Sequence, residues 1–160
     1  MALDKRFEWI IFDLGGVLIE ITPDRFYQNM SKEINIPVEF IQSYKESMAL
    51  GYKEPEIIIN EFINKYGLNI TSDYFIKKFV ELYIGKKIDG MFEFVKELKK
   101  EGYKIGLLSN TNKLHINYLK HKFSNFKDFD AVFYSYEIHI NKPSLDAYRY
   151  VLEKLKVEPN

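Results

Sequence analysis

The sequence predicts an α/β protein: a parallel sheet flanked by helices and interrupted, after its first strand, by a helical insertion. Three observations carry this. Short apolar runs that end in polar residues recur at WIIFDL (9–14), YKIGLLSN (103–110) and DAVFYS (130–135). Outside the insertion these runs alternate with helical patterns, which makes right-handed crossovers and parallel pairing the natural connections. From about residue 22 to 85 the pattern is helical and punctuated by Pro and Gly.

Each element has a local reason. WIIFDL is continuous, rich in Ile and Phe, and reads as a strand buried on both faces. Thr22-Pro23 reads as a helix cap followed by a proline at the first helical position. Pro37 opens a second helix that Gly51 closes, and Pro55 a third that Gly67 stops. Thr71 or Ser72 caps a fourth, SDYFIKKFVELYI, stopped by Gly85. The α/β alternation then resumes with a helix over 89–102, the second strand, a helix over 113–123 and the third strand. Ser144 caps a last helix, LDAYRYVLEKLK.

Composition narrows the class. At 160 residues the chain is one domain, with or without a small insertion, and 46% apolar residues are enough for a core. Lys+Arg and Asp+Glu both number 23, so no charge excess points to nucleic acid or an anionic membrane. There is no cysteine, which excludes a disulfide framework and thiolate chemistry. No apolar stretch reaches the ~18–20 residues of a membrane span, and MALDKRFEW lacks a signal-peptide apolar core. The expectation is a soluble, cytoplasmic protein.

In open α/β sheets, ligands bind at the carboxyl ends of the strands. Asp13, Ser109 and Ser135 sit at those three ends. Gly15 and Gly16 let the backbone turn sharply behind Asp13 and approach a ligand closely. Ser109-Asn110-Thr111-Asn112 brings hydroxyls, amides and a helix N-terminus together, an anion-binding arrangement. Lys142 is a cation ahead of the last helix. A nucleophilic carboxylate, a hydroxyl and a lysine around one point suit an anionic electrophile, with phosphoryl transfer the leading case. Arg25 and Tyr27 follow the first strand closely enough to reach a cleft between core and insertion. His115, His121 and His139 share no metal-ligand spacing and read as surface or packed histidines.

IIFDLGGVL, LLSNTNKLH and NKPSLDAYRYVLEKL, in that order, resemble the first three motifs of the haloacid dehalogenase superfamily, within its α-D-glucose-1-phosphatase-like branch. The resemblance implies a three-layer, Rossmann-like parallel-sheet core from residues 1–19 and 88–160, with a helical cap over 20–87 inserted after the first strand. It implies that Asp13 attacks phosphorus to form an aspartyl-phosphate, that Ser109 hydrogen-bonds the phosphoryl oxygens, and that Lys142 neutralises charge on phosphate and nucleophile. Asn110, Gly16 and Arg25 join Ser109 as expected substrate contacts. Mg²⁺ would be held by Asp13, by the Gly15 carbonyl and by an acidic fourth motif.

The chain departs from this pattern in several places. Many family phosphatases carry an acid–base aspartate two positions after the nucleophile, where this chain has Gly15. Losing such a group typically costs ~10²–10⁴-fold. The branch itself has glycine there, so a good leaving group or a water would stand in. The fourth motif and the C-terminal strands of the fold do not follow KVEPN, which implies weakly held Mg²⁺ and leaves the first strand as an apolar edge. A swapped segment, a second copy of the chain or a separate polypeptide is expected to cover it. His139 stands where the branch has a glycine, and PEIIINEF where a glycine opens a similar acidic stretch. The expected function is Mg²⁺-dependent hydrolysis of a small phosphomonoester, such as a sugar phosphate, through Asp13, impaired in this short form. The competing expectations are metal-free carbon–halogen hydrolysis by the same aspartate, and a catalytically dead binding or partner protein.

Overall fold

The strand on which the core is built is β4, Lys104–Ser109, five of whose six residues are buried. In the computed structural model, which describes residues 7–158, β4 pairs in parallel on both sides. β1 (Trp9–Phe12) sets Ile10 opposite Ile105 and Phe12 opposite Leu107. β5 (Ala131–Tyr134) sets Phe133 opposite Leu108, giving the order β1-β4-β5. Strand alternation sends Ile105 and Leu107 to one face, into a core with Phe92, Val95 and Leu98 of α6 (Met91–Lys100) and Ile116 and Leu119 of α7 (Lys113–Lys122). Leu108 packs on the other face with Phe133 and with Val151 of α9 (Leu145–Leu155). Helices on both faces of a parallel sheet make the three-layer arrangement the sequence predicts. No helix among the described residues is long and apolar enough to cross a membrane.

β1 differs from the reading of its run as buried on both faces. Among the described residues it is an edge strand, and Ile11 is 38% exposed. A continuous apolar run records hydrophobicity but not position in the sheet. Here β4 has neighbours on both sides, whereas β1 has one among the described residues. Trp9 and Ile11 line a surface groove with Val151 and Leu155 beside that edge.

The insertion hangs on a neck that the sequence reading missed. β2 (Ile19–Ile21) and β3 (Ile84–Lys87) form an antiparallel ribbon, with Ile21 opposite Ile84 and Ile19 opposite Lys87. Strands of three and four residues are too short to print a period-two signal, and the helical pattern running up to Gly85 masked the start of β3. Thr22 does not cap its helix with its side chain. Its hydroxyl instead donates to Leu82 O (2.7 Å) and its N–H to Tyr83 O (2.8 Å), stitching the neck closed.

Within the insertion lie α1 (Pro23–Ile34), α2 (Val38–Gln42), α3 (Lys45–Leu50), α4 (Pro55–Lys65) and α5 (Ser72–Tyr83). The single helix expected between Pro37 and Gly51 is therefore two. The Ser43 hydroxyl donates to Phe40 O (2.7 Å) at the break, a local alternative to continuing the helix. Thr71 caps α5 by accepting the Tyr74 N–H (3.2 Å), and Ser144 caps α9 by accepting the Asp146 N–H (3.2 Å). A 3₁₀ turn at Ser124–Asp128 and a short α8 at Ser135–Ile138 complete the core.

Rings fill the insertion. Phe26 meets Phe75 edge-on (5.6 Å between centroids) and lies 4.9 Å from Phe79. Phe79 and Tyr83 of α5 carry this packing onto the core, where they lie 4.3 and 4.6 Å from the imidazole of His115 on α7. Asn112 holds that imidazole, its amide nitrogen 3.2 Å from Nδ1 and its Oδ1 accepting the His115 N–H. Burial, and secondarily the Lys45 cation, push the His115 pKa from 6.5 down to about 3.

The folded chain thus keeps His115 neutral, whereas the unfolded chain protonates it below its usual pKa. Its contribution to stability is whole above about pH 6.5 and is lost progressively as the pH falls toward about 3. Urea unfolding of the wild type and of His115→Gln, from neutral pH downward, checks this. The wild type should lose stability more steeply than the variant, by up to about 1.4 kcal/mol per pH unit; parallel curves would refute it.

Candidate active site

The turn after β1 fixes Asp13. Leu14 O accepts the N–H groups of Leu18 and Ile19 (2.9 and 3.0 Å), and Gly16, at φ +79°, donates its N–H to Ile19 O (2.8 Å). Only a glycine adopts that dihedral without strain. The turn leaves Asp13 at the mouth of the sheet, where its Oδ1 accepts the Leu14 N–H (2.7 Å) and pairs with Lys142 Nζ (2.9 Å).

Lys142 is positioned from three directions. Its Nζ donates to Leu108 O (2.8 Å) at the end of β4. Its own peptide is clamped by Asn110, whose Oδ1 accepts the Lys142 N–H (2.8 Å) and whose Nδ2 donates to Lys142 O (2.7 Å). The loops after β4 and β5 are thereby locked together, with the ammonium beside Asp13.

Asp13, Gly15, Ser109, Asn110 and Lys142 all line one cleft of about 910 Å³. That is within the range of small-molecule sites. Its opposite wall comes from the insertion: Gln42 ends α2, and Lys45 and Glu46 open α3. These three exposed polar groups were missed by the sequence reading. Their 42, 45, 46 spacing is that of one helix face, but it belongs to no motif and straddles the break between α2 and α3.

Other expected site residues lie elsewhere. Arg25 is exposed and does not line the cleft. α1 buries Phe26, Tyr27 and Met30, and this turns position 25 outward. Tyr27 faces the interior of the insertion, and burial raises its phenol pKa. Gly16 is absent from the cleft wall, and its N–H is committed to the turn. Asn110 does line the cleft, but its side-chain amide spends Oδ1 and Nδ2 on the Lys142 peptide. Ser135, at the third strand end, is buried outside the cleft. Its hydroxyl accepts the Thr111 N–H (3.0 Å) and donates to Ala49 O (2.7 Å).

The donors available to a cation are hard oxygens, the Asp13 carboxylate and the Gly15 carbonyl. Among the described residues no group of three or more His, Asp or Glu side chains gathers into a metal site. Mg²⁺ commonly keeps several waters and takes one or two carboxylates plus a substrate phosphate. This sparse oxygen set fits that mode of binding.

The architecture recurs in solved structures. An enzyme of the haloacid dehalogenase (HAD) family from Bacteroides thetaiotaomicron, in complex with magnesium and inorganic phosphate, matches with a TM-score of 0.82 at 22% identity, over 95% of this chain and 80% of that one. A protein of Porphyromonas gingivalis described as a HAD-like family hydrolase matches with a TM-score of 0.79 at 22% identity, over 95% and 78%. A dehalogenase matches more loosely, with a TM-score of 0.60 at 16% identity, over 99% and 75%. At such identities the likeness is one of fold. The sequence adds to it, because the family model for haloacid dehalogenase-like hydrolases matches residues 7–160. With nearly the whole chain matched, and with the carboxylate after β1 facing the lysine before α9, this chain belongs to the haloacid dehalogenase-like hydrolase family.

Proposed function

We propose that the chain hydrolyses a small phosphomonoester, with Mg²⁺ as cofactor, through a covalent phosphate on Asp13. The observation that carries the reading is the Asp13–Lys142 pair, 2.9 Å apart at the mouth of a cleft that also holds Ser109. Both the Leu14 N–H and Lys142 reach Oδ1, which leaves Oδ2 as the attacking oxygen. A phosphate entering beside Lys142 finds a fixed cation, and the Ser109 hydroxyl donates to its oxygens. Oδ2 bonds to phosphorus as the bond from phosphorus to the ester oxygen breaks. The electron pair leaves with that oxygen, which takes its proton from water because position 15 is glycine. A second water then attacks phosphorus, the bond to Oδ2 breaks, and Asp13 returns as a carboxylate with inorganic phosphate released. Mg²⁺, held by the Asp13 carboxylate and the Gly15 carbonyl, would supply further neutralisation of phosphoryl charge.

The volume and polar cap wall suit a hydroxylated leaving group, such as a sugar. The Bacteroides enzyme, crystallised with magnesium and phosphate, supports the ligand class. One observation favours a second reading. A dehalogenase shares this fold, and displacement of halide from carbon by Asp13 would need no cation. Halide release from a 2-haloacid without Mg²⁺ would select that reading.

A panel of phosphate esters assayed with Mg²⁺ should show turnover that Asp13→Asn lowers by at least about a thousandfold. Equal rates for the two proteins would remove Asp13 as nucleophile, and ester binding by calorimetry without turnover would make the chain a binding protein. Lys142→Met should lower kcat about a hundredfold. An unchanged kcat in that variant would reduce Lys142 to a structural tether of Leu108.

A further inference from the structure

The C-terminal turn of α3 is fastened to the core. Ala49 O accepts from the Ser135 hydroxyl (2.7 Å), and Leu50 O lies 2.7 Å from His139 Nδ1. A carbonyl can only accept, so Nδ1 carries the proton. Gly51, at φ +67°, approaches α8 so closely that a Cβ would sit 2.0 Å from Tyr136 O. The next residue, Tyr52, lies flat on the His139 imidazole, with centroids 5.1 Å apart and planes at 12°. His139 itself holds φ +58°, a left-handed conformation that disfavours an imidazole-bearing residue and that glycine adopts freely. The strained position is occupied by the side chain that meets Leu50 O and the Tyr52 ring.

The location gives these contacts a role. His139 lies three residues before Lys142, on the same loop. Ala49 and Leu50 end the helix that carries Lys45 and Glu46 into the cleft, and Gly51 and Tyr52 directly follow it. The β2–β3 ribbon is one of several attachments, since the α5 rings pack on His115, Lys113 Nζ pairs with Glu54 (2.8 Å) and the Ser135 hydroxyl holds Ala49 O; the His139 contacts add a hold at the very end of α3. We propose that His139 is a positioning residue: it latches the end of α3 to the Lys142 loop and so holds the Gln42, Lys45 and Glu46 wall across the cleft from Asp13. The kinetic part of this inference rests on the phosphomonoesterase reading; the structural part does not.

The test uses His139→Gly, which removes the latch while relieving the left-handed strain. Amide hydrogen exchange over residues 42–53 should speed up about tenfold, from the loss of one hydrogen bond and one ring stack, with β4 amides unchanged. In assays of p-nitrophenyl phosphate with Mg²⁺, KM should rise about tenfold while kcat stays within about twofold, because Asp13, Ser109 and Lys142 are untouched. Should that variant not fold, Tyr52→Ala, at a position 74% exposed, carries the same two measurements. Unchanged exchange over 42–53, a rise shared equally by β4, or a fall in kcat at constant KM each overturns the latch. A wild type that turns over no phosphate ester defeats the hydrolase reading alone, and the exchange result still decides the latch.

Discussion

Everything at the mouth of the sheet depends on the ion pair between Asp13 and Lys142. As a source of stability it is minor, since a half-exposed pair contributes about 0–1 kcal/mol. Its importance is geometric. Lys142 Nζ bridges the carboxylate after β1 and the Leu108 carbonyl of β4, while Asn110 clamps the Lys142 peptide to the loop after β4. Three segments distant in sequence meet there because β1, β4 and β5 run parallel and so end at the same edge. Antiparallel pairing of any one of them would have sent its loop to the far side.

That dependence explains what was legible in the sequence. The three parallel strands could be read because each is an apolar run ended by a polar residue, and strand ends in such sheets are where ligands bind. That rule picked out Asp13 and Ser109, while Lys142 was read as the cation ahead of the last helix; the structure places all three on one cleft. Ser135 obeyed the same rule and yet serves as a fastener, because its hydroxyl is within reach of Ala49 O and the Thr111 N–H before it could face the cleft. Arg25 was misplaced because proximity in sequence ignores helix phase: Phe26 and Tyr27 face inward, so Arg25 cannot. The neck strands and the cap wall were unreadable for a different reason. Neither a three-residue strand nor a polar face split across two helices leaves a periodic trace, and only tertiary packing defines them.

The insertion is continuous with the core it covers. Buried rings run from Phe62 and Phe75 through Phe26 and Phe79 to His115, within the same cluster that holds Ile105 and Leu107 of β4. Interiors of this density transmit displacement instead of absorbing it. Through His115 and its Asn112 partner the packed rings of α5 meet the start of α7, directly after the Ser109–Asn112 loop.

Gly15 has a consequence for selectivity. For phosphoryl transfer at Asp13, a glycine beside the nucleophile provides no proton for the departing oxygen, and its close neighbours are the apolar atoms of Ile21, 3.3 Å from where a Cβ would stand. The barrier then follows how well the alcohol bears negative charge on its own. Electronics would rank such a site's substrates as strongly as shape does, with acetal-type and phenolic esters ahead of simple alkyl ones of the same size.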